Sequence, residues 1–201
     1  MSSAVEICNL ALSHLGDDAT IASIDPPEGS AQAEHCAMFY PLARDALLEM
    51  HSWRFATKRS LLAELVSDGW GWQYVYAQPI NSLRVLSILP ASAHESYNTA
   101  DYDIKTTSGD VVAIYTNLPD ASALYLSKVE DSARFSPLFT DALSRLLASY
   151  LAGPVIKGDS GAKMAQTQYQ AFRMVLGQAI NSDASQRHGE IDHNPSWMEA
   201  R

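Results

Sequence analysis

Residues 40–58 read YPLARDALLEMHSWRFATK, a helical pattern that runs into an aromatic and basic turn. Up to Met50 the apolar residues recur every three or four positions, which is typical of one face of an amphipathic helix. Beyond Trp53 and Phe55 this spacing is lost, and short apolar runs alternate with turn residues. The sequence therefore predicts a change from helical to strand-rich structure just after this segment.

Two helices are predicted on the amino-terminal side of that change. Ser3 and Glu6 have the spacing of a capping box, in which each side chain satisfies a free amide at the start of a helix. The apolar positions that follow predict a first helix over residues 4–15. A second helix is predicted over residues 30–52, and Pro41 should bend or split it because proline removes a backbone hydrogen bond.

Residues 58–130 are predicted to form a strand-rich insertion. Residues 102–106 alternate between apolar and polar side chains, and the Ser-Gly-Asp sequence that follows is a turn signal. Residues 111–116 are rich in strand-forming side chains, so this part of the insertion predicts a β-hairpin. With a strand ending at Pro90 and another after the hairpin, three or four antiparallel strands would form one modest sheet.

The rest of the chain predicts two further helices and a tail. The helices are expected over residues 137–153 and 160–184, and residues 187–201 have no apolar period and should form a flexible, extended tail. The predicted fold class is α+β, mainly α: a bundle of about four long helices with a small antiparallel sheet inserted between the helix pairs. A chain of 201 residues supports one substantial core, so residues 1–186 are predicted to form a single domain.

The charge of the chain argues against ordinary nucleic-acid binding. The sequence has 14 basic and 23 acidic residues, a formal net charge of -9, and no cluster of basic residues. Tight binding to a phosphate backbone needs several basic contacts. The sequence also has no apolar run of 18 residues and no basic amino-terminal signal. We therefore expect no membrane association, and we expect a protein made and kept in the cytoplasm.

The sequence contains none of the standard catalytic or cofactor motifs. Asp45 and Glu49 share one face of the second helix and could in principle serve as the acid and base of a glycosidase. The simpler interpretation is that they are exposed charges close to Arg44. We therefore predict no catalytic residue, no metal site and no cofactor.

Two cysteines occur in the chain, Cys8 and Cys36. Both lie among alanines and other apolar residues on predicted helix faces, which favours buried free thiols. A disulfide between the two helices is the alternative, although nothing in the sequence indicates a secretory context.

The order of the motifs along the chain resembles that of phage head-to-tail adaptors of the tail tubular protein A family. The resemblance covers residues 4–186 and rests on five motifs: a Leu-x-x-Leu-Gly first helix, an Asp-Pro-Pro-Glu-Gly-Ser loop, the Trp-Arg-Phe-Ala-Thr-Lys turn, a Trp-x-Tyr-x-Tyr segment and a Phe-x-x-x-Phe-x-x-Ala-Leu helix. Each motif alone is weakly specific. Their order makes the resemblance more specific than any one of them.

The resemblance implies a structural role in a virion. Proteins of this family form a ring, usually of twelve copies, beneath the portal protein of the filled capsid. The ring extends the DNA channel, so that DNA passes through the lumen without sequence-specific binding, and it carries a downstream tail, nozzle or tail-completion protein. The protein would be assembled in the host cytoplasm and located in the virion neck. The alternative is a cell-wall peptidoglycan hydrolase or a dual-role adaptor with muralytic activity.

Two sets of residues are candidate interfaces in this interpretation. The tail would contact the portal through Pro195, Trp197, Met198 and Arg201. Tryptophan is a typical anchor residue in protein interfaces. A second set belongs to an aromatic segment next to glycines: Trp70, Trp72 and Tyr74. For these aromatic residues we favour packing of the sheet against the helices over a subunit interface, and a subunit interface over a ligand-stacking platform.

Overall fold

The computed structural model describes residues 3–66, 71–92, 99–107 and 109–186. In these ranges the chain forms four α-helices, which are α1 (Ala4–His14), α2 (Ala31–Met50), α3 (Pro137–Ile156) and α4 (Gly158–Ser185). The same ranges contain seven strands, which are β1 (Thr57–Leu61), β2 (Glu64–Leu65), β3 (Tyr74–Ala77), β4 (Ser82–Pro90), β5 (Tyr102–Thr106), β6 (Val112–Thr116) and β7 (Ala121–Ser127).

Three of the four described helices, α1, α2 and α3, begin at side-chain caps, whereas α4 has none. The Ser3 hydroxyl accepts from the Glu6 amide at 3.1 Å, and the Glu6 carboxylate accepts from the Ser3 amide at 2.8 Å, which confirms the capping box. Ser30 and Ser136 cap α2 and α3 in the same manner. α2 continues through Pro41 as one helix, so a split at that residue is wrong.

α3 is the central helix, because it packs against α1, α2 and α4. It continues past the predicted break at Pro154 and ends at Ile156, and Lys157 alone separates it from α4. Close packing at this corner requires Gly161: a Cβ there would lie 2.9 Å from the carbonyl oxygen of Ala152. α3 and α4, which are adjacent in sequence, thus pack closely against each other.

The strands form two antiparallel sheets. One has the order β1-β7-β4 and the other the order β2-β3-β6-β5. Leu126 on β7 joins the helical core, whereas Tyr125 on the opposite face of β7 packs with Ile114 of the second sheet. The three-stranded sheet therefore lies between the helices and the four-stranded sheet.

The first and last residues of the strand region lie close together, next to the helical region. β1 and β7 are paired, with Thr57 opposite Leu126, and the Ser127 amide donates to the Ala56 carbonyl at 2.8 Å. The first and last strands of the insertion are thus neighbours in the same sheet.

The prediction of a mainly α bundle with a small hairpin is wrong. The described residues contain two sheets with seven strands, and α1 has only 11 residues, so the fold is α+β with a substantial β part. The predicted hairpin at residues 102–116 is confirmed as β5 and β6. The underestimate comes from strands such as β1, whose sequence Thr-Lys-Arg-Ser-Leu is largely exposed. Charged edge strands of this kind have no apolar alternation to reveal them.

Candidate assembly interface

α4 is a long helix that is covered on one side only. Its 28 residues span about 42 Å at 1.5 Å per residue. The buried residues recur at spacings of four and seven; they are Gly161, Gln168, Phe172, Ala179 and Asp183. They face α3, the end of α1, where Gln168 bonds to His14, and the turn after α2, where Asp183 bonds to Arg54. The opposite side is exposed along the length of the helix.

The exposed side of α4 carries few charges. The helix has four charged residues, Asp159, Lys163, Arg173 and Asp183, and Asp183 is buried. No charged residue occurs between Met174 and Asp183, and the side chain of Met174 is 71% exposed. We define the α4 outer face by Gln166, Gln170, Arg173, Met174, Gly177 and Asn181. Interface cores are depleted in most charged residues and enriched in methionine and arginine. Arg173 and Met174 fit this pattern, and the other residues of the face are polar or glycine.

A second exposed apolar surface lies on α2. Met38 is 67% exposed and Leu42 is 59% exposed, and the two are one helical turn apart. Pro41 is exposed beside them. We define these three residues as the α2 apolar patch. Exposed apolar side chains that form a contiguous group mark interaction sites more often than isolated ones do.

The Trp-Arg-Phe-Ala-Thr-Lys turn holds the end of α2 in a fixed position. Trp53 is buried, its indole nitrogen donates to the Leu47 carbonyl at 2.9 Å, and its ring meets Phe139 edge-on with centroids 5.0 Å apart. Asp183 near the end of α4 accepts from the Arg54 amide at 3.2 Å. This turn therefore fixes the carboxyl end of α4 to the carboxyl end of α2.

The predicted aromatic residues lie in the strand region rather than on one surface. Trp72 is half-buried against Tyr115 on one side of the four-stranded sheet. Tyr74 belongs to the cluster between the two sheets, where its ring stacks on that of Tyr76 at 6.3 Å. The structure places Trp72 and Tyr74 in different clusters, and neither joins the helical core. Trp70 lies outside the described residues.

The four tail residues predicted to contact the portal also lie outside the described residues; they are Pro195, Trp197, Met198 and Arg201. Their role stays a prediction. Within the described residues, the chain ends at the carboxyl end of α4, which is the point from which the tail would begin.

His14, Ser144 and Asp141 form a contact that resembles a catalytic triad in composition but not in geometry. The Ser144 hydroxyl donates to the Asp141 carbonyl at 2.8 Å, so His14 Nε2 donates to Ser144 Oγ at 3.2 Å. The nearest Asp141 carboxylate oxygen is 4.0 Å from the same nitrogen, whereas a triad uses the two different ring nitrogens. Because Ser144 is fully buried, we interpret this contact as a structural one that holds α1 against α3.

The environment of His14 opposes its protonation. Burial lowers the pKa of His14, the nearby Arg145 lowers it further, and Asp141 acts in the opposite direction. No spacing in the sequence indicated this contact, because His14 and Ser144 are far apart along the chain.

The carboxylates considered for glycoside chemistry do not form a free pair. Asp45 is held by Arg44 at 2.8 Å and by Lys128 at 3.3 Å. Glu49 is exposed. Asp45 therefore belongs to a group of ion pairs, whereas Glu49 is exposed to solvent.

The prediction of buried free thiols is confirmed for Cys8 and Cys36. The two thiols are neighbours: a hydrogen bond to Cys36, together with burial, raises the pKa of Cys8, and the same hydrogen bond lowers that of Cys36. They contribute to the contact between α1 and α2.

The described residues contain neither a membrane-spanning helix nor a cluster of metal-binding side chains. No helix in them is both long enough and apolar enough to cross a membrane. Among the same residues, no group of three or more histidine, cysteine, aspartate or glutamate side chains is arranged to hold a metal ion.

Comparison of the chain with protein-family models and with curated proteins found no match. A functional proposal must therefore rest on the order of the sequence motifs and on the surfaces of α2 and α4.

Proposed function

We propose that this chain is a structural head-to-tail adaptor of a tailed phage or prophage. In this proposal it forms a ring beneath the portal, extends the DNA channel and provides the attachment platform for the tail, as part of the virion neck. The observation that carries the proposal is the α4 outer face, a long exposed helical surface with an exposed methionine, Met174, and no charged residue between it and Asp183. The motif order along residues 4–186 supports the same role.

A ring needs two different contact surfaces on each copy. The α2 apolar patch and the α4 outer face meet this requirement, because α2 and α4 each pack on α3 and expose their other sides. When one surface of each copy binds the other surface of the next, the contact is heterologous and closes into a ring if the rotation fits. We propose this pairing as the subunit contact, in a ring of about twelve copies by resemblance to the family.

The charge of the chain suits a channel that DNA passes through. A net charge of -9 disfavours adhesion to phosphates, so DNA would move through the lumen without sequence-specific binding. The partners are then the portal above and a downstream tail, nozzle or tail-completion protein below. Pro195, Trp197, Met198 and Arg201 remain our candidate portal contact.

Negative-stain electron microscopy of the protein, alone and mixed with the portal ring from the same genome, tests the adaptor role. We expect an additional ring beneath the portal, from which the copies can be counted. If the two proteins do not associate at high concentration, the adaptor proposal fails.

Charge substitutions test the subunit contact separately. Met174→Glu and Leu42→Glu each place a charge in a proposed contact and should prevent ring formation while the circular dichroism spectrum is unchanged. Ser182→Glu, exposed on α4 but about 80° around the helix from Met174, is the matched control and should form rings. Rings from all three variants would show that these surfaces are not the contact.

A further inference from the structure

Four exposed cations surround the turn between α2 and β1; they are Arg54, Lys58, Arg84 and Arg134. Arg84 reaches the turn from β4 and donates to the Ser52 hydroxyl at 3.1 Å, and Arg134 donates to the Phe55 carbonyl. Within the described residues, none of the four cations forms an ion pair with a carboxylate. We call these four residues the basic patch.

The basic patch lies in the part of the chain that is poorest in acidic residues. Residues 50–63 contain three lysine or arginine residues and no acidic one, and β4 and β7 together add Arg84 and no acidic residue. The whole chain, in contrast, has a net charge of -9. Clustered charges of one sign create a local potential that attracts the opposite charge, so this surface favours an acidic partner.

The carboxylates that border the patch do not neutralise it. Asp183 reaches the turn, but it is buried, and it bonds to His51 and to the backbone amide of Arg54 rather than to one of the four cations. Asp131 accepts from the Ala133 amide at 3.0 Å. The positive charge of the patch therefore remains available to another group.

The tail, which lies outside the described residues, begins next to this patch. The described chain ends at Gln186, and one helical turn earlier Asp183 accepts from the Arg54 amide at 3.2 Å. An extended chain advances about 3.4 Å per residue, so Glu190 lies within about 14 Å of Gln186. Residues 188–200 contain no lysine or arginine and three acidic residues: Glu190, Asp192 and Glu199. The tail therefore has the charge that the patch lacks, within reach of the patch.

We propose that residues 188–193 of the tail dock on the basic patch of the same chain, with Glu190 and Asp192 among its four cations. A short linker holds its two ends at an effective concentration in the millimolar range, so contacts that are weak individually become populated. Pairing of this patch with the same patch of a second copy is disfavoured, because like charges would face each other. The docking does not depend on the adaptor role, and the residues predicted to contact the portal lie beyond the docked part.

Zero-length cross-linking of the full chain with a water-soluble carbodiimide, followed by mass spectrometry, tests the contact. The reagent joins a carboxylate to an amine that touches it, and Lys58 is the only lysine of the patch. We expect a link from Glu190 or Asp192 to Lys58 at about 0.05 M salt, and roughly fivefold less of it at about 1 M, where the screening length falls to about 3 Å. Absence of this link, or equal yields at both salt concentrations, would overturn the proposal.

Variants that remove one positive charge test the role of the patch. Arg54→Gln removes a cation of the patch but keeps Lys58 as the acceptor and keeps the backbone amide that bonds to Asp183. The cross-link yield should fall roughly threefold, with an unchanged circular dichroism spectrum. Lys163→Gln, at an exposed position near the start of α4, is the matched control and should leave the yield unchanged. Equal yields in the two variants would contradict the proposed site.

Two mixing experiments identify the occupant of the patch. When ¹⁵N-labelled and unlabelled chains are mixed before cross-linking, links within chains of one isotope support the proposal. Links that join a labelled to an unlabelled chain would assign the patch to the tail of another copy and overturn it. Loss of the Lys58 link on addition of an equimolar DNA duplex would show that a nucleic acid is the preferred occupant, whereas an unchanged link supports the tail. None of these measurements needs the portal or a ring, so this proposal and the adaptor proposal fail separately.

Discussion

The helical region and the strand region of this chain are held together by cores of different size. The helices share one large cluster, with α3 in contact with each of the other three helices and Trp53 buried beside Phe139. The sheets rely on a smaller cluster between them, around Tyr76 and Ile114, and on a minor one around Val75. Local stability follows buried apolar contact. We therefore expect the strand region to open before the helical region.

Loss of Trp53 should have the largest effect, because this residue connects the helical core to the start of the strand region. Trp53→Ala removes a fully buried ring and its hydrogen bond to Leu47, and should destabilise the protein by about 3–5 kcal/mol. Urea unfolding measures the change. Trp72→Ala, at a half-buried position, is the control and should cost clearly less; equal costs would contradict the central role of Trp53.

A substitution between the sheets should separate the two regions. Ile114→Ala creates a cavity in the smaller cluster and should cost about 2–4 kcal/mol. Hydrogen exchange should show lost protection in β3, β6 and β7, with α3 and α4 still protected. Ile104→Ala, on the neighbouring strand but partly exposed, is the control. Equal loss of protection in the helices would mean that the two regions unfold as one unit.

A third pair of variants tests how closely α3 and α4 are packed. Gly161→Ala brings a methyl group against the Ala152 carbonyl and should cost about 1–2 kcal/mol, even though alanine is the better helix former. Gly177 on the same helix has open space around it. Gly177→Ala should therefore stabilise the protein by about 0.5–1 kcal/mol. Thermal unfolding of both variants measures the difference, and shifts of the same sign would refute the close approach at Gly161.

The smallest effect should be a dependence on pH within the helical region. Because burial lowers the pKa of His14 in the folded protein, the unfolded chain binds more protons as the pH falls. The stabilising contribution is complete above the usual histidine pKa of about 6.5 and is lost as the pH falls below it. His14→Gln should reduce the stability difference between about pH 7.5 and about pH 5.5, as measured by urea unfolding. His35→Gln is the control, and an identical pH dependence in both variants would exclude His14 as the cause.

The parts of the fold that the sequence revealed are those set by local signals. Ser3 and Glu6 marked the start of α1, and the alternation at residues 102–106 marked the hairpin. β1 escaped prediction because its charged residues face solvent at a sheet edge. The pairing of β4 with β7 joins residues that are distant in sequence, and no local pattern reports it.

The candidate surfaces were predictable only in part. Helical spacing identified α4 and its buried stripe, but it could not show that the opposite side stays uncovered. The fold brings Arg44 of α2 next to Lys128, which follows β7, on the same Asp45 carboxylate. No spacing rule relates these two residues, so only the three-dimensional structure shows that they meet.

The paired ends of the strand region have a consequence for how such a protein can change. Opposed residues of an antiparallel pair are about 5 Å apart, and here Thr57 and Leu126 are such a pair. Shortening, lengthening or exchanging the segment between them leaves the separation of α2 and α3 the same. The helical region can thus keep its geometry while the β segment between these two residues varies in length and sequence.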